Sequence, residues 1–357
     1  MFLQLHTNRS SRGVSVRRRL KVHSARHAII ALVIGLLPAI SAAQTPLSGS
    51  GSTFVAPIMT RWVTEYEKAH RDVQISYMPN GSAAGMAQVT RGLVDFGATD
   101  APLTNAQLAN AATKVIHVPV IIGADVPAYN LKSVKTELKF TPQLLAGIFL
   151  GRITKWSDSA VAAANPGISL PEELITVVHR SDGSGTTYVW TEYLSKVSPE
   201  WKQKIGQGTS VKWPVGVEGK GNEGVSAAIR QTDGSIGYLE LAYAIRDKVA
   251  YGSVQNASDE FVKASVKSTS AAAASAKMTD DLRVSISNAP GVDSYPIASF
   301  SWVLVPTTLH GTGKGKALAD FLTWVVGEGQ RFAAGLFYAP LPDAVAQQAR
   351  QAINQTR

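Results

Sequence analysis

The stretch His179–Trp190, HRSDGSGTTYVW, sets an arginine, an aspartate, two glycines and several hydroxyl residues just ahead of an apolar helical pattern. Before it runs ELITVVHR (Glu173–Arg180), β-branched and strand-like. After it Val189, Trp190, Tyr193 and Leu194 recur at helical spacing. Strand, polar turn and helix in succession are one unit of an α/β protein, and the unit recurs along the chain. VQISYM (Val73–Met78) and LVDFGA (Leu93–Ala98) alternate as strands do. Val55, Met59, Trp62, Val63 and Tyr66 mark one further helix, and Ala317, Phe321, Trp324 and Val325 another. This alternation predicts an α/β fold with parallel or mixed sheets. The Ala/Ser-rich stretch Lys263–Lys277 reads as an exposed helix without chemistry, and no internal repeat is visible.

The 357 residues suffice for two domains, each with its own core, and 45% hydrophobic with 17% charged content fits an ordinary globular chain. The net charge of +9 would suit a nucleic-acid binder if it were spread over the chain, but it is not. Of 35 basic residues, seven (Arg9, Arg12, Arg17, Arg18, Arg19, Lys21 and Arg26) precede residue 44, where no acidic residue occurs; the other 28 face 26 acidic residues. The basic segment leads into AIIALVIGLLPAI (Ala28–Ile40) and then Ser41-Ala42-Ala43, the pattern of a secretory signal at 1–43 cleaved before Gln44. Twin-arginine export has only Arg17-Arg18-Arg19 in its favour. The absence of cysteine excludes disulfides, lipoprotein attachment and thiolate metal sites. The expectation is an exported protein of the cell envelope that relies on its core.

Four segments share one design, in which small and hydroxyl residues separate a strand from a helix. They are LSGSGSTFVAP (Leu47–Pro57), NGSAAGM (Asn80–Met86), DFGATDAPL (Asp95–Leu103, with Pro102 suited to a helix's first turn) and Arg180–Thr187. A helix start presents unpaired N–H groups and partial positive charge, so it accepts anions. Glycine permits close approach, hydroxyls add donors, and Arg180 supplies a planar fork that Asp182 can steady. Taken singly, each hydroxyl is an ordinary N-cap and Arg180/Asp182 an ordinary ion pair. Their repetition points to an oxyanion site.

Catalytic patterns fail one by one. Neither Gly-rich segment has the lysine of a Walker A loop, Phe54 stands where a dinucleotide-binding turn needs glycine, and Asp182 breaks the hydrolase elbow at Ser184. His70, His117, His179 and His310 form no metal-ligand spacing, and the aromatic residues fall at helical spacing, as core and not as a base-stacking platform. Binding without chemistry is the expectation, with no cofactor, no metal and no nucleic acid.

The motifs GSGSTFVAP, GSAAGM, VDFGATDAPL, RSDGSGTTYV, VKWPVGVEGKGNEGV (Val211–Val225) and GSIGYLELAYA (Gly234–Ala244) also carry a resemblance. In their order and spacing the chain after residue 43 resembles, over nearly its whole length, the periplasmic phosphate-binding proteins of phosphate-specific ABC transporters. The resemblance implies a two-lobed periplasmic solute-binding fold: a hinged clamp with two chain crossovers, near Tyr129 and Trp302. Lobe I would comprise 44–129 plus 303–357, and lobe II 130–302. It implies phosphate contacts at Thr53, Phe54 (through its backbone N–H), Ser82, Asp100, Arg180, Ser184, Gly185 and Thr186, with Asp182 orienting Arg180. Its partners would be inorganic phosphate and an inner-membrane ABC permease, and the carrier would be a monomer. Ala83-Ala84 and Val55 depart from residues common in the family without removing a ligand group.

Asp100 is the informative residue in that set, because a carboxylate repels an anion unless the anion brings its own proton. Phosphate can donate that proton at neutral pH; sulfate cannot, and an unpaired carboxylate facing it in a dehydrated site is costly. The alternatives are a clamp for a related oxyanion (phosphonate, arsenate, sulfate or molybdate) and an exported phosphatase-like hydrolase. The latter lacks a nucleophile or metal cluster in the sequence.

Overall fold

The computed structural model describes Gln44–Arg357, Ser275 excepted, together with Ser15; the signal expectation for 1–43 otherwise lies outside the described residues. Twelve strands follow within them: β1 Thr45–Gly51, β2 Val73–Met78, β3 Phe96–Thr99, β4 Val115–Asn130, β5 Lys139–Phe140, β6 Thr176–Arg180, β7 Val217–Gly219, β8 Ser235–Glu240, β9 Ala250–Tyr251, β10 Ser253–Gln255, β11 Phe261–Val262 and β12 Ala298–Pro306. The main sheet has the order β2-β1-β3-β12-β4-β8-β6-β7, with β9 also on β4, and β11-β10-β5 form a small second sheet. β1 runs parallel to β2 and β3, and β6 runs parallel to β7 and β8. The long β4 is antiparallel to β12 along its first half and to β8 along its second. Parallel pairs need helical crossovers, and the sequence supplies them after β1, β2, β6 and β7.

The molecule is two-lobed. Residues of β4 up to Ile122 pack with Phe54, Trp62, Phe300 and Trp302 in one hydrophobic cluster, whereas Ala124 and its successors pack with Trp156, Trp190 and Trp201 in another. On the returning chain Ala272, Ala273, Ile286 and Ala289 already pack in the first cluster, and on entry to β12 the packing changes from the second cluster to the first between Ile297 and Ala298. These five tryptophans are buried, and the indole N–H of Trp62 and of Trp156 each reaches a carbonyl, Gly329 O and Gly234 O, at 2.9 Å.

The helices marked by Trp62, Trp190 and Trp324 span Ala56–Ala69, Gly185–Val197 and Gly313–Val325. Three local expectations are corrected. The strand expected from Leu93 starts at Phe96: Gly92, at φ +69°, turns the chain and Leu93 points outward. Pro102 opens no helix, because the next one is Asn105–Ala109, started by a Thr104/Gln107 capping box. The Ala/Ser-rich segment does form a helix, Val266–Ala274, but it is not exposed; Ser268, Thr269, Ala272 and Ala273 are buried, since small side chains let it lie close on the core.

Candidate functional site

Four helices begin at the line where the two lobes meet: Ala56–Ala69, Ser82–Thr90, Gly185–Val197 and Gly221–Gln231. Three of them have no side-chain cap; only Ser184 caps its helix, accepting from Thr187 N at 3.0 Å. Contacts across the line are direct. Ala83 N donates to Gly183 O at 3.0 Å, and Asn222 Nδ2 donates across to Thr53 Oγ1 at 3.0 Å and, within its own lobe, to Thr186 Oγ1 at 3.2 Å. Tyr243 Oη donates to Thr53 O at 2.6 Å. Four helix starts on one spot make a strongly electropositive backbone environment.

On the first lobe the focal group is Asp100, fully buried immediately after β3. Ser52 Oγ (2.5 Å) and Ser82 Oγ (3.2 Å) donate to its Oδ2, and Ser301 Oγ (2.6 Å) donates to its Oδ1. Burial pushes its pKa up to about 6, while the three serine hydroxyls and Arg180 pull the other way. A Cβ on Gly185 would lie 2.3 Å from Asp100 Oδ2 and 2.4 Å from Ser82 Oγ. Only glycine lets the start of the opposing helix come this close.

On the second lobe Arg180, at the end of β6, holds Asp182 in a bidentate pair, Nε to Oδ1 at 2.7 Å and Nη2 to Oδ2 at 2.5 Å. Its remaining nitrogen, Nη1, donates to Thr186 Oγ1 at 3.1 Å. Asp182 also accepts from Gly221 N at 3.0 Å. Burial raises the Asp182 pKa, but Arg180 and the Gly221 N–H outweigh it and hold the carboxyl below its usual range. The guanidinium is thus fixed and its side chain 1% exposed.

The structure brings most of the expected residues together in two clusters. Asp100, Ser82 and Gly185 meet in one cluster, Arg180, Asp182 and Thr186 in a second, and Asn222 joins Thr53 to the second. Ser184 uses its oxygen on its own helix, as an N-cap does. Phe54 turns its ring onto Gly123 and its carbonyl accepts from Tyr338 Oη at 2.6 Å. Ser52, Asn222 and Ser301 were not singled out from the sequence. Ser52 sits inside a stretch read for its glycines and hydroxyls, from which Thr53 and Phe54 were named, Asn222 inside a recognised motif, and Ser301 in a strand just over 200 positions from Asp100. His117 is no ligand: burial lowers its pKa to about 4 and its Nε2 accepts from Leu103 N at 3.1 Å. Among the described residues no three His, Asp or Glu side chains gather as a metal site.

A two-lobed fold that closes helix starts, an arginine and a carboxylate around one point defines the class of solute-binding proteins. Residues 38–328 match the family model described as a PBP superfamily domain. The phosphate-binding protein PstS of Xylella fastidiosa (strain Temecula1) is 44% identical over 314 residues, covering 86% of this chain and 85% of the relative. That of Pasteurella multocida is 42% identical over 325 residues, covering 90% and 93%. A high-affinity periplasmic phosphate-binding protein solved with bound phosphate shares the fold, with a TM-score of 0.69 at 20% identity over 86% of this chain and 93% of its own. The chain belongs to the PBP superfamily and, within it, to the family of the phosphate-binding proteins PstS.

Proposed function

We propose that this protein binds inorganic phosphate between its two lobes in the periplasm and delivers it to an ABC permease. It performs no catalytic step. The observation that carries this reading is Asp100, a buried carboxylate braced by three serine hydroxyls and set against the start of the helix Gly185–Val197. A carboxylate has about four acceptor positions, so three donors leave one for a ligand hydroxyl. Hydrogen phosphate and dihydrogen phosphate bring that hydroxyl; sulfate does not.

The contact set is Thr53, Phe54, Ser82, Asp100, Arg180, Ser184, Gly185 and Thr186, with Asp182 orienting Arg180. The arrangement supports it by turning backbone donors, hydroxyls and one fixed cation to the point that Asp100 faces. Lobe I is taken as 44–129 plus 303–357 and lobe II as 130–302; on β4 and β12 the hydrophobic packing changes cluster a few residues earlier, between Ile122 and Ala124 and between Ile297 and Ala298. The carrier works as a monomer after loss of the leader 1–43, and β1 begins one residue beyond that cut. Among the described residues no helix is long and apolar enough to cross a membrane.

Calorimetric titration of the mature protein with phosphate, then with sulfate as competitor near neutral pH, tests the reading. The expected result is one-to-one phosphate binding that excess sulfate does not disturb. Equal binding of sulfate would make the ligand assignment wrong, and heat with neither anion would defeat the function altogether.

A further inference from the structure

Beneath the anion site lies a pair of acids that the binding scheme does not use. Asp125 on β4 and Glu240 on β8 are directly opposite one another in the antiparallel ladder, and both are fully buried. Directly opposed residues share a face of the sheet, as do residues two apart along one strand. Gly123, two residues before Asp125, is opposite Ser299, and a Cβ there would lie 2.3 Å from the Phe54 ring. Ser301, two residues beyond Ser299, donates to Asp100. Tyr238, two residues before Glu240, accepts from Arg180 N at 3.1 Å through its hydroxyl. One row of side chains therefore runs along the floor of the cleft from Asp100 in one lobe to Arg180 in the other, with Asp125 and Glu240 at its centre.

The row contains an accounting failure. Neither Asp125 oxygen has a hydrogen-bond partner among the described residues, nor does Glu240 Oε1; Glu240 Oε2 accepts from Ala242 N at 2.8 Å and from Tyr338 Oη at 3.2 Å. Ionised carboxylates only accept, so two of them face to face cannot satisfy each other, and in a dry interior they repel. A proton on either acid removes the repulsion and turns that acid into a donor. The groups facing the pair are Asp100, Arg180, Tyr238, Tyr243, Tyr295 and Tyr338. Burial, then Asp100, then Glu240 raise the Asp125 pKa, against Arg180 alone; burial dominates for Glu240 as well. Arg180 is already neutralised by Asp182, so it does not discharge the pair.

We infer that Asp125 and Glu240 form a proton-binding site under the anion pocket, and that the clamp takes up a proton there as it closes on its ligand. The inference rests on the phosphate-clamp reading. It adds that opening wets the floor of the cleft and lets both acids ionise, whereas closure over an anion dries it and requires one proton on the pair. Phosphate affinity then falls as pH rises, by up to about tenfold per pH unit for one proton taken up, beyond whatever the titration of phosphate itself contributes.

The test is calorimetry of the full mature chain with inorganic phosphate at mildly alkaline pH, in two buffers of different ionisation enthalpy, which gives the number of protons taken up. The wild type is expected to take up about one more proton than Asp125→Asn, whose amide fills the same space and cannot ionise. Glu240→Gln is expected to match Asp125→Asn and serves in its place if that variant does not fold. Equal proton numbers in wild type and folded variant would overturn the inference while leaving phosphate binding intact. No binding by the wild type would defeat the function reading itself. Infrared difference spectra give an independent check: phosphate should raise a protonated-carboxyl band in the wild type that Asp125→Asn lacks, and a phosphate-saturated wild type without the band overturns the proposal.

Discussion

The two walls of the cleft treat charge in opposite ways. The wall from the second lobe carries the cation, Arg180, and neutralises it on the spot with Asp182 through two hydrogen bonds. The wall from the first lobe carries an anion, Asp100, and gives it hydroxyls but no counter-ion. Attraction is therefore spread over helix starts and hydroxyl dipoles, while the charge on these two walls that has no counter-ion is of the same sign as the ligand. A site built only to attract anions would pair the carboxylate and free the arginine. This one does the reverse, which is the arrangement expected of a site that selects by the ligand's proton.

Breaking the first wall should have the largest effect, and it should fall on discrimination. Asp100→Asn replaces an acceptor-only carboxylate with an amide that can donate to a fully ionised anion. A site that must satisfy a ligand hydroxyl rejects analogues lacking it by factors on the order of 10⁴–10⁵. We expect the substitution to cut the preference for phosphate over sulfate by at least about a hundredfold, the equivalent of one lost charged hydrogen bond of roughly 3 kcal/mol. Competition calorimetry measures it, and an unchanged ratio would show that Asp100 is not the gate.

Breaking the second wall should weaken binding without abolishing it. Arg180→Ala removes the Nη1 donor beside Thr186, but Thr53, Ser82 and Thr186 remain with the helix starts. A charge-assisted hydrogen bond contributes about 1.5–3 kcal/mol, so phosphate affinity should fall by roughly ten- to a hundredfold while the preference over sulfate persists. Asp182 then loses its bidentate partner, so the fold of the variant must be checked by thermal unfolding. Complete loss of binding in a folded protein would mean that the arginine, and not the dipoles, carries the anion.

The asymmetry of the walls also governs how much of the site could be read from the sequence. Arg180, Asp182, Ser184, Gly185 and Thr186 lie within seven consecutive residues between a β-branched run and an apolar helix, so local pattern is enough to find them. Asp100 entered through the family resemblance, and its carboxylate among anion donors then marked it out. Its supports were not visible. Ser301 reaches it only because β12 runs antiparallel to β3 at the centre of the sheet, a pairing that no local periodicity encodes. The same holds for Asp125, which looks like an interruption in an apolar strand until its register with Glu240 is known. The α/β alternation was legible because each strand and helix carries its own period; what failed were edges and exposure. Pro102 resembled a helix start although Thr104 caps better, and a run of alanine and serine gave no sign that it lies flat against the core.

The smallest change sharpens the comparison most, since it adjusts the first wall without removing its charge. Ser301→Ala deletes the 2.6 Å donor to Asp100 Oδ1 and leaves Ser52 and Ser82 on Oδ2. With other donors still in place, the cost to phosphate affinity near neutral pH should be about 1 kcal/mol, less than tenfold. The informative readout is the pH dependence of discrimination. Ser301 favours the ionised carboxyl, so its loss must raise the Asp100 pKa from about 6. Above that pKa the carboxylate rejects sulfate; below it the acid can donate, and the preference for phosphate fades. In the wild type the preference should therefore decline as pH falls through about 6, and in Ser301→Ala the decline should begin at higher pH. Competition titrations across this range measure both curves. Curves that coincide would mean that Ser301 only packs against Asp100, and a shift to lower pH would contradict the assignment of the hydroxyl as donor.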